Sequence, residues 1–259
     1  MDRREFIVKI ASFLLGSLLA PNLFSRAHAC ECTGKQDHSA PRLALIIDDI
    51  GPSAHRAKLF SNFGIPMTFA VLPHFLRSGD LALEFHDRGH EIMLHQPMEP
   101  RNPEVDPGPG ALYVGDGPEK IMEIMERNIA AVPYVTGVNN HMGSKFTTRQ
   151  REMHQTLQIV KERGLFFVDS LTASDSKGYK TARRLHMPAA CRNIFLDNQV
   201  GVGAILRQLQ KLARVSVTYG SAIGIGHPFP ETAQAIGAFV KDFKDSEIEF
   251  VGVSRLVAT

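Results

Sequence analysis

From about residue 43 onward, short apolar runs alternate with amphipathic segments. The runs at 43–47, 67–72, 91–94, 134–138, 165–168, 193–196, 222–225 and 248–253 are bounded by Gly, Pro or Asp. They are often β-branched or aromatic, which predicts strands. Between them, residues 53–63, 77–88, 118–131, 148–163, 199–214 and 230–244 carry apolar side chains at three- and four-residue spacing, which predicts helices. Two helix starts are marked: Asp116 stands before Pro118 and Glu119, and Thr147 or Thr148 before a segment with Glu152 in its first turns. Near-continuous apolar strands alternating with helices imply a parallel sheet covered on both faces. The prediction is an α/β fold, an irregular (β/α) barrel of seven or eight mainly parallel strands. No internal repeat with a solenoid period is visible. Residues 96–117 break the rhythm with Pro97, Pro100, Pro103, Pro107, Pro109 and Gly108, Gly110, Gly115, Gly117. So long an irregular connection is usually functional, and this one is expected to cover the barrel mouth.

The first thirty residues follow another pattern. Arg3 and Arg4 stand in a charged head, and an apolar run over 6–19 is broken by Lys9, Ser12 and Ser17. Pro21 ends it, and Ala27-His28-Ala29 offers a small-x-small site. Together these predict a removable export signal over 1–29 and an exported, periplasmic protein. The paired arginines before Glu5-Phe6-Ile7 resemble a twin-arginine signal, a route that carries proteins already folded. An uncut membrane anchor, or a lipid on Cys30, is the rival reading, although Ala27 stands where a lipobox usually has leucine. Residues 30–42, polar and with Pro41 near the end, predict a linker, and 43–259 the folded domain.

At 259 residues, with 44% hydrophobic and 22% charged, the chain has the composition of one large soluble domain. No run after residue 30 is long and apolar enough to cross a bilayer, so no membrane span is expected in the mature domain. Removing Arg3, Arg4, Lys9 and Arg26 with Asp2 and Glu5 leaves 25 basic and 25 acidic residues. A neutral domain has no electrostatic grip on nucleic acid. Three cysteines, Cys30, Cys32 and Cys191, are too sparse for a zinc–thiolate site.

The candidate chemistry sits where the predicted strands end. Asp48 and Asp49 end the first, His95 the third and Asp169 the fifth; His141 follows the fourth and His227 the seventh. In parallel barrels that face carries the catalytic groups. Adjacent residues on a strand point to opposite sides, so Asp48 and Asp49 are expected to do different jobs, one at a metal and one at substrate or water. Capping of the helix near Ser53 is the bland alternative for either. Two imidazoles and one carboxylate suit one divalent metal, zinc first, and leave positions open. Glu99 is a rival ligand, four residues after His95. His227, in Gly226-His227-Pro228, is placed to act as a general acid. Asn140, Asp169, Tyr113 and Glu99 are candidate substrate contacts, with Phe75 and Phe229 as further aromatic surfaces.

These residues resemble the divergent polysaccharide deacetylase family, a branch of the polysaccharide deacetylase superfamily. The carriers are Ile46-Ile47-Asp48-Asp49-Ile50-Gly51, Phe69-Ala70-Val71-Leu72-Pro73, Gly89-His90-Glu91, His95-x-Pro97-Met98-Glu99, Asn139-Asn140-His141-Met142-Gly143-Ser144, Phe167-Val168-Asp169-Ser170 and Gly226-His227-Pro228. The resemblance implies a barrel of glycoside hydrolase/deacetylase type. It makes Asp48 the catalytic base, Asp49 and His95 metal ligands, and His227 the proton donor. The family's better-known members carry a second histidine where Glu99 stands, and an arginine-proline motif where Asn139-Asn140-His141 stands. His141 is therefore expected as the third ligand. The implied activity is metal-dependent removal of N- or O-linked acetyl groups from a cell-envelope carbohydrate, an acetylated glycan or peptidoglycan-type substrate. The competing expectation is a non-catalytic carbohydrate-binding or envelope-regulating module with a relic metal site.

Overall fold

The structure, a computed structural model, describes residues 40–243 and 246–258. The expected export signal and residues 30–39 of the expected linker lie outside the described residues. The strands are β1 (Arg42–Ile50), β2 (Thr68–Val71), β3 (Glu91–Met98), β4 (Val135–Met142), β5 (Phe166–Asp169), β6 (Ala189–Cys191), β7 (Ile194–Phe195), β8 (Ser221–Gly226) and β9 (Glu249–Phe250). The helices are α1 (Ala54–Lys58), α2 (Ser78–Asp87), α3 (Pro118–Ala131), α4 (Gln150–Glu162), α5 (Gly178–Arg184), α6 (Val202–Tyr219) and α7 (Pro230–Phe243).

All strand pairings are parallel, in the order β6-β5-β4-β3-β2-β1-β8-β7. One edge of β1 pairs with β8 from Arg42 to Ile47; the other is shared, with β9 at Arg42–Leu43 and β2 from Ile46 upward. β6 and β7 are neighbours in the chain but stand at opposite ends of this order and do not pair. The expected (β/α) barrel is therefore present, curled and open along one seam.

Alternation along the strands makes two apolar layers. Leu43, Leu45, Ile47, Phe69, Val71, Leu94 and Val138 face outward under the helices, packed with Phe85, Ile121, Leu157, Leu209 and Phe239. Ala44, Ile46, Ala70, Met93, Phe166, Val168, Ala190, Ile223 and Ile225 fill the interior. Val251 and Val253 join that inner cluster. The Val253 amide bonds Thr68 Oγ1 and the Ser254 amide bonds Glu91, so this segment closes the end where β2 and β3 begin. At the opposite end the same inward rows turn polar.

Two elements escape the pattern, β6 and α5: Ala189-Ala190-Cys191 holds no β-branched or aromatic residue, and Gly178–Arg184 has too few apolar positions to show a period. Helix α6 runs on past the expected 214 to Tyr219, where Gly220 at φ 83° supplies the left-handed stop. Helix α1 is shorter than expected and ends in turns that bury Phe60. Thr147 and Thr148 lie in a 3₁₀ turn, and α4 begins two residues later.

Candidate metal centre

Following the inward rows upward gives the site. Asp48 comes two residues after Ile46 on β1, His95 two after Met93 on β3, and Asn139 and His141 share the inward row of β4. The expectation that Asp49 points away from Asp48 fails. Asp49 has φ 57°, and the β1–β2 register slips between Ile47 and Ile50, so the backbone turns its carboxylate back to the same side. Capping is excluded for both, since Ser53 Oγ accepts the Arg56 amide at the start of α1.

Asp49 Oδ1 lies 2.9 Å from His141 Nδ1 and 3.2 Å from His95 Nε2, and the two nitrogens are 3.1 Å apart. These ligand atoms all fall within 4.8 Å of one another. Despite the distances, Asp49 Oδ1 is buried without a hydrogen bond of proper direction among the described residues. Two ring nitrogens and one oxygen converging in this way fit a divalent cation, with zinc accepting that donor set. Burial works to raise the Asp49 carboxyl, and the His141 and His95 rings beside it overcome that and hold it far below the usual carboxylate range.

Asn139 ties this group to Asp48. Its Oδ1 lies 2.8 Å from His95 Nδ1, and its Nδ2 donates to Asp48 Oδ1 at 2.8 Å. An amide oxygen only accepts, so His95 Nδ1 carries the proton and Nε2 keeps its lone pair for the ligand cluster. Burial raises the Asp48 carboxyl, against the opposing pull of His95, His227 and Asn139. Burial likewise works to lower His95, but Asp48 and Asp49 raise it.

His227 stands across the site, its Nε2 3.9 Å from Asp49 Oδ2. Asp197, buried on the loop after β7, holds it: Oδ1 is 2.9 Å from His227 Nδ1 and Oδ2 accepts the His227 amide at 2.6 Å and the Thr232 hydroxyl. Burial opposes the imidazolium, but Asp197, Asp48 and Asp49 push His227 up to about 9. Asp48 and His95 form a buried floor, while Asp49, His141 and His227 remain partly exposed, so the site opens outward.

The other expected residues lie elsewhere. Glu99 accepts the Val114 amide and pairs with Lys145 at 2.6 Å, so it pins the connection after β3 and stays outside the ligand group. Asp169 is fully buried, and its oxygens accept from Leu171 N and Ser176 Oγ in the β5–α5 loop and from Tyr179 N in the first turn of α5. Asn140 joins strand ends through Met142 O, Thr172 Oγ1 and the Ser170 amide. Tyr113 is exposed in a turn closed by Asp116. The sequence reading gave no role to Asn139 or Asp197. Asp197 follows a predicted strand at once, so the rule that found the other strand-end residues could have found it.

Fold and site together define an α/β-barrel protein with a candidate metal centre at the carboxyl ends of its strands. The model of the divergent polysaccharide deacetylases matches residues 45–257, and the chain belongs to that family. An uncharacterized Escherichia coli protein, YibQ, is 30% identical over 218 residues, covering 84% of this chain and 68% of its own. The crystal structure of an uncharacterized Agrobacterium tumefaciens protein superposes with TM-score 0.81 at 28% identity, over 85% of this chain and 90% of that one. The catalytic domain of a peptidoglycan N-acetylglucosamine deacetylase from Eubacterium rectale shares the fold, with TM-score 0.53 at 12% identity over 83% and 90%.

Proposed function

We propose that this protein is an exported, metal-dependent hydrolase that removes acetyl groups from an acetylated cell-envelope carbohydrate. The observation that carries the reading is the convergence of Asp49, His95 and His141 between Asp48 and His227. A free carboxylate and a protonated imidazole flanking a ligand cluster form the acid–base pair that hydrolysis needs. Bound by those three residues, a divalent cation such as zinc supplies Lewis acidity, polarising a carbonyl and making water more acidic.

Asp48 is placed to take the proton of the attacking water. Its raised carboxyl makes it the stronger base, and Asn139 fixes its orientation. Water oxygen adds to the acyl carbon, the C–N or C–O bond breaks, and acetate leaves. His227, protonated at neutral pH and steadied by Asp197, gives its proton to the departing amine or alcohol.

The test supplies zinc to the purified protein and measures bound metal and acetate released from N-acetylglucosamine oligomers and O-acetylated glycans. About one ion per chain and acetate release, with Asp48→Asn slower by about 10²–10⁴-fold, support the reading. Metal binding with no acetate from any acylated glycan would overturn the hydrolase.

A further inference from the structure

The barrel is open between β6 and β7, and on the inner side of that seam stands a cation that the hydrolysis above does not use. Arg192 follows inward-facing Ala190 by two residues. Its Nε donates to Ser170 O at 2.8 Å and its Nη2 to Leu171 O at 3.2 Å. Its Cζ lies 5.0 Å from the centroid of the Phe195 ring, and that ring is 5.2 Å from the ring of His227. The guanidinium is thus held near the proton donor from three directions. Among the described residues no carboxylate pairs with it and Nη1 makes no hydrogen bond.

A second group on the same wall lacks a partner. Ser170 follows Phe166 and Val168 on the inward row of β5, is 5% exposed, and its Oγ makes no hydrogen bond among the described residues. A buried hydroxyl left unsatisfied costs about 1–3 kcal/mol. Burial also works against the Arg192 charge, which the more distant Asp48 and Asp169 favour. A partly desolvated guanidinium, and an idle hydroxyl on the residue whose carbonyl that guanidinium holds, match an anion with two oxygens.

We propose that Arg192 and Ser170 bind a carboxylate carried by the substrate, so that this site takes an acidic acylated sugar in preference to a neutral one. The proposal rests on the reading that an acylated sugar sits at the metal face. A neutral sugar leaves the guanidinium half-desolvated and unpaired, which is the source of the discrimination.

Calorimetric binding to zinc-supplied Asp48→Asn protein tests it. The ligands are two N-acetylated amino sugars, one with a carboxylate at C6 and one with a lactyl ether at O3, each beside its own primary amide. At least one acid should bind at least tenfold tighter than its amide, and Arg192→Met should remove that preference by weakening the acid, with amide binding no weaker than before. If Arg192→Met does not fold, Ser170→Ala should reduce the preference severalfold, and raised salt should weaken only the acid. Equal binding of every acid and amide, a preference that survives these changes, or no binding of any ligand overturns the proposal. Acetate release by the wild-type protein separates the two readings. Discrimination without release keeps the carboxylate site and removes the hydrolase; release without discrimination does the reverse.

Discussion

Asp49 at φ 57° is a non-glycine residue in the left-handed region, a conformation that costs on the order of 1–3 kcal/mol and persists only where its surroundings enforce it. What the strain achieves is local: it turns a side chain that strand alternation would send outward toward His95 and His141. Asp49→Ala and His141→Ala should each leave the purified protein without stoichiometric metal by elemental analysis. Asn139→Ala keeps all three ligands but removes the partner of both His95 and Asp48. Its metal affinity should fall about 10–100-fold, the usual effect of losing a group that orients a ligand, with the circular dichroism unchanged. His227 should titrate near 9 in the metal-free protein by NMR, and Asp197→Asn should bring it down toward its ordinary value. The sign follows from a folded-state value above the unfolded one. The stability His227 contributes is fully present below pH ~6.5 and is lost as pH rises through about 9. A cation at the neighbouring ligands repels the imidazolium, so metal should move the titration to lower pH.

Among the elements, the connection between β3 and α3 shows how a segment without periodicity is held. Asn128 of α3, fully buried, donates to Gln96 Oε1 and to Gly110 O, and its Oδ1 lies 2.8 Å from His74 Nε2. Glu99 holds the same connection at Val114, and Arg101 reaches Ser144 and Asp175 on the loops after β4 and β5. The segment therefore spans the carboxyl face from the β2 loop to the β5 loop. Asn128→Ala should lower stability by about 1–3 kcal/mol in urea denaturation, since it leaves buried groups unpaired. Limited proteolysis should then cut first within 99–117. The eight predicted strands and six predicted helices were readable because each carries enough apolar positions to show a period. The partners of Glu99, Asp169 and Asn140 were not, because each bonds a backbone or hydroxyl group whose position depends on a loop path.

For the whole molecule, the ligand cluster bears on stability. No helix among the described residues is long and apolar enough to cross a membrane, and the inner apolar layer ends where Asp48, Asp49, His95 and His141 crowd together. Without a cation these groups hold an unpaired buried oxygen and three titratable neighbours at close range. Metal binding to the folded state alone should therefore stabilise it, by about 4 kcal/mol at a thousandfold excess over the dissociation constant. For a domain of this size that is a rise in Tm of about 8–16 °C. Differential scanning calorimetry with zinc and then with a chelator checks it, and an unchanged Tm would remove the cation from the folded state.

The sequence by itself determined the alternation of strand and helix, the parallel barrel, and the delivery of Asp48, Asp49, His95, His141 and His227 to one end of it. Those features follow from hydrophobic period and from position along a strand, both local properties of the chain. Only the tertiary structure decided that Asp48 and Asp49 face the same space, that Asn139 links Asp48 to His95, and that Asp197 stands behind His227. The Asn139–Asp48 bond joins residues 91 apart in the chain, and the Asp197–His227 bond residues 30 apart. Such contacts depend on which strands become neighbours and on one residue with a positive φ, and hydrophobic patterning carries no information about either.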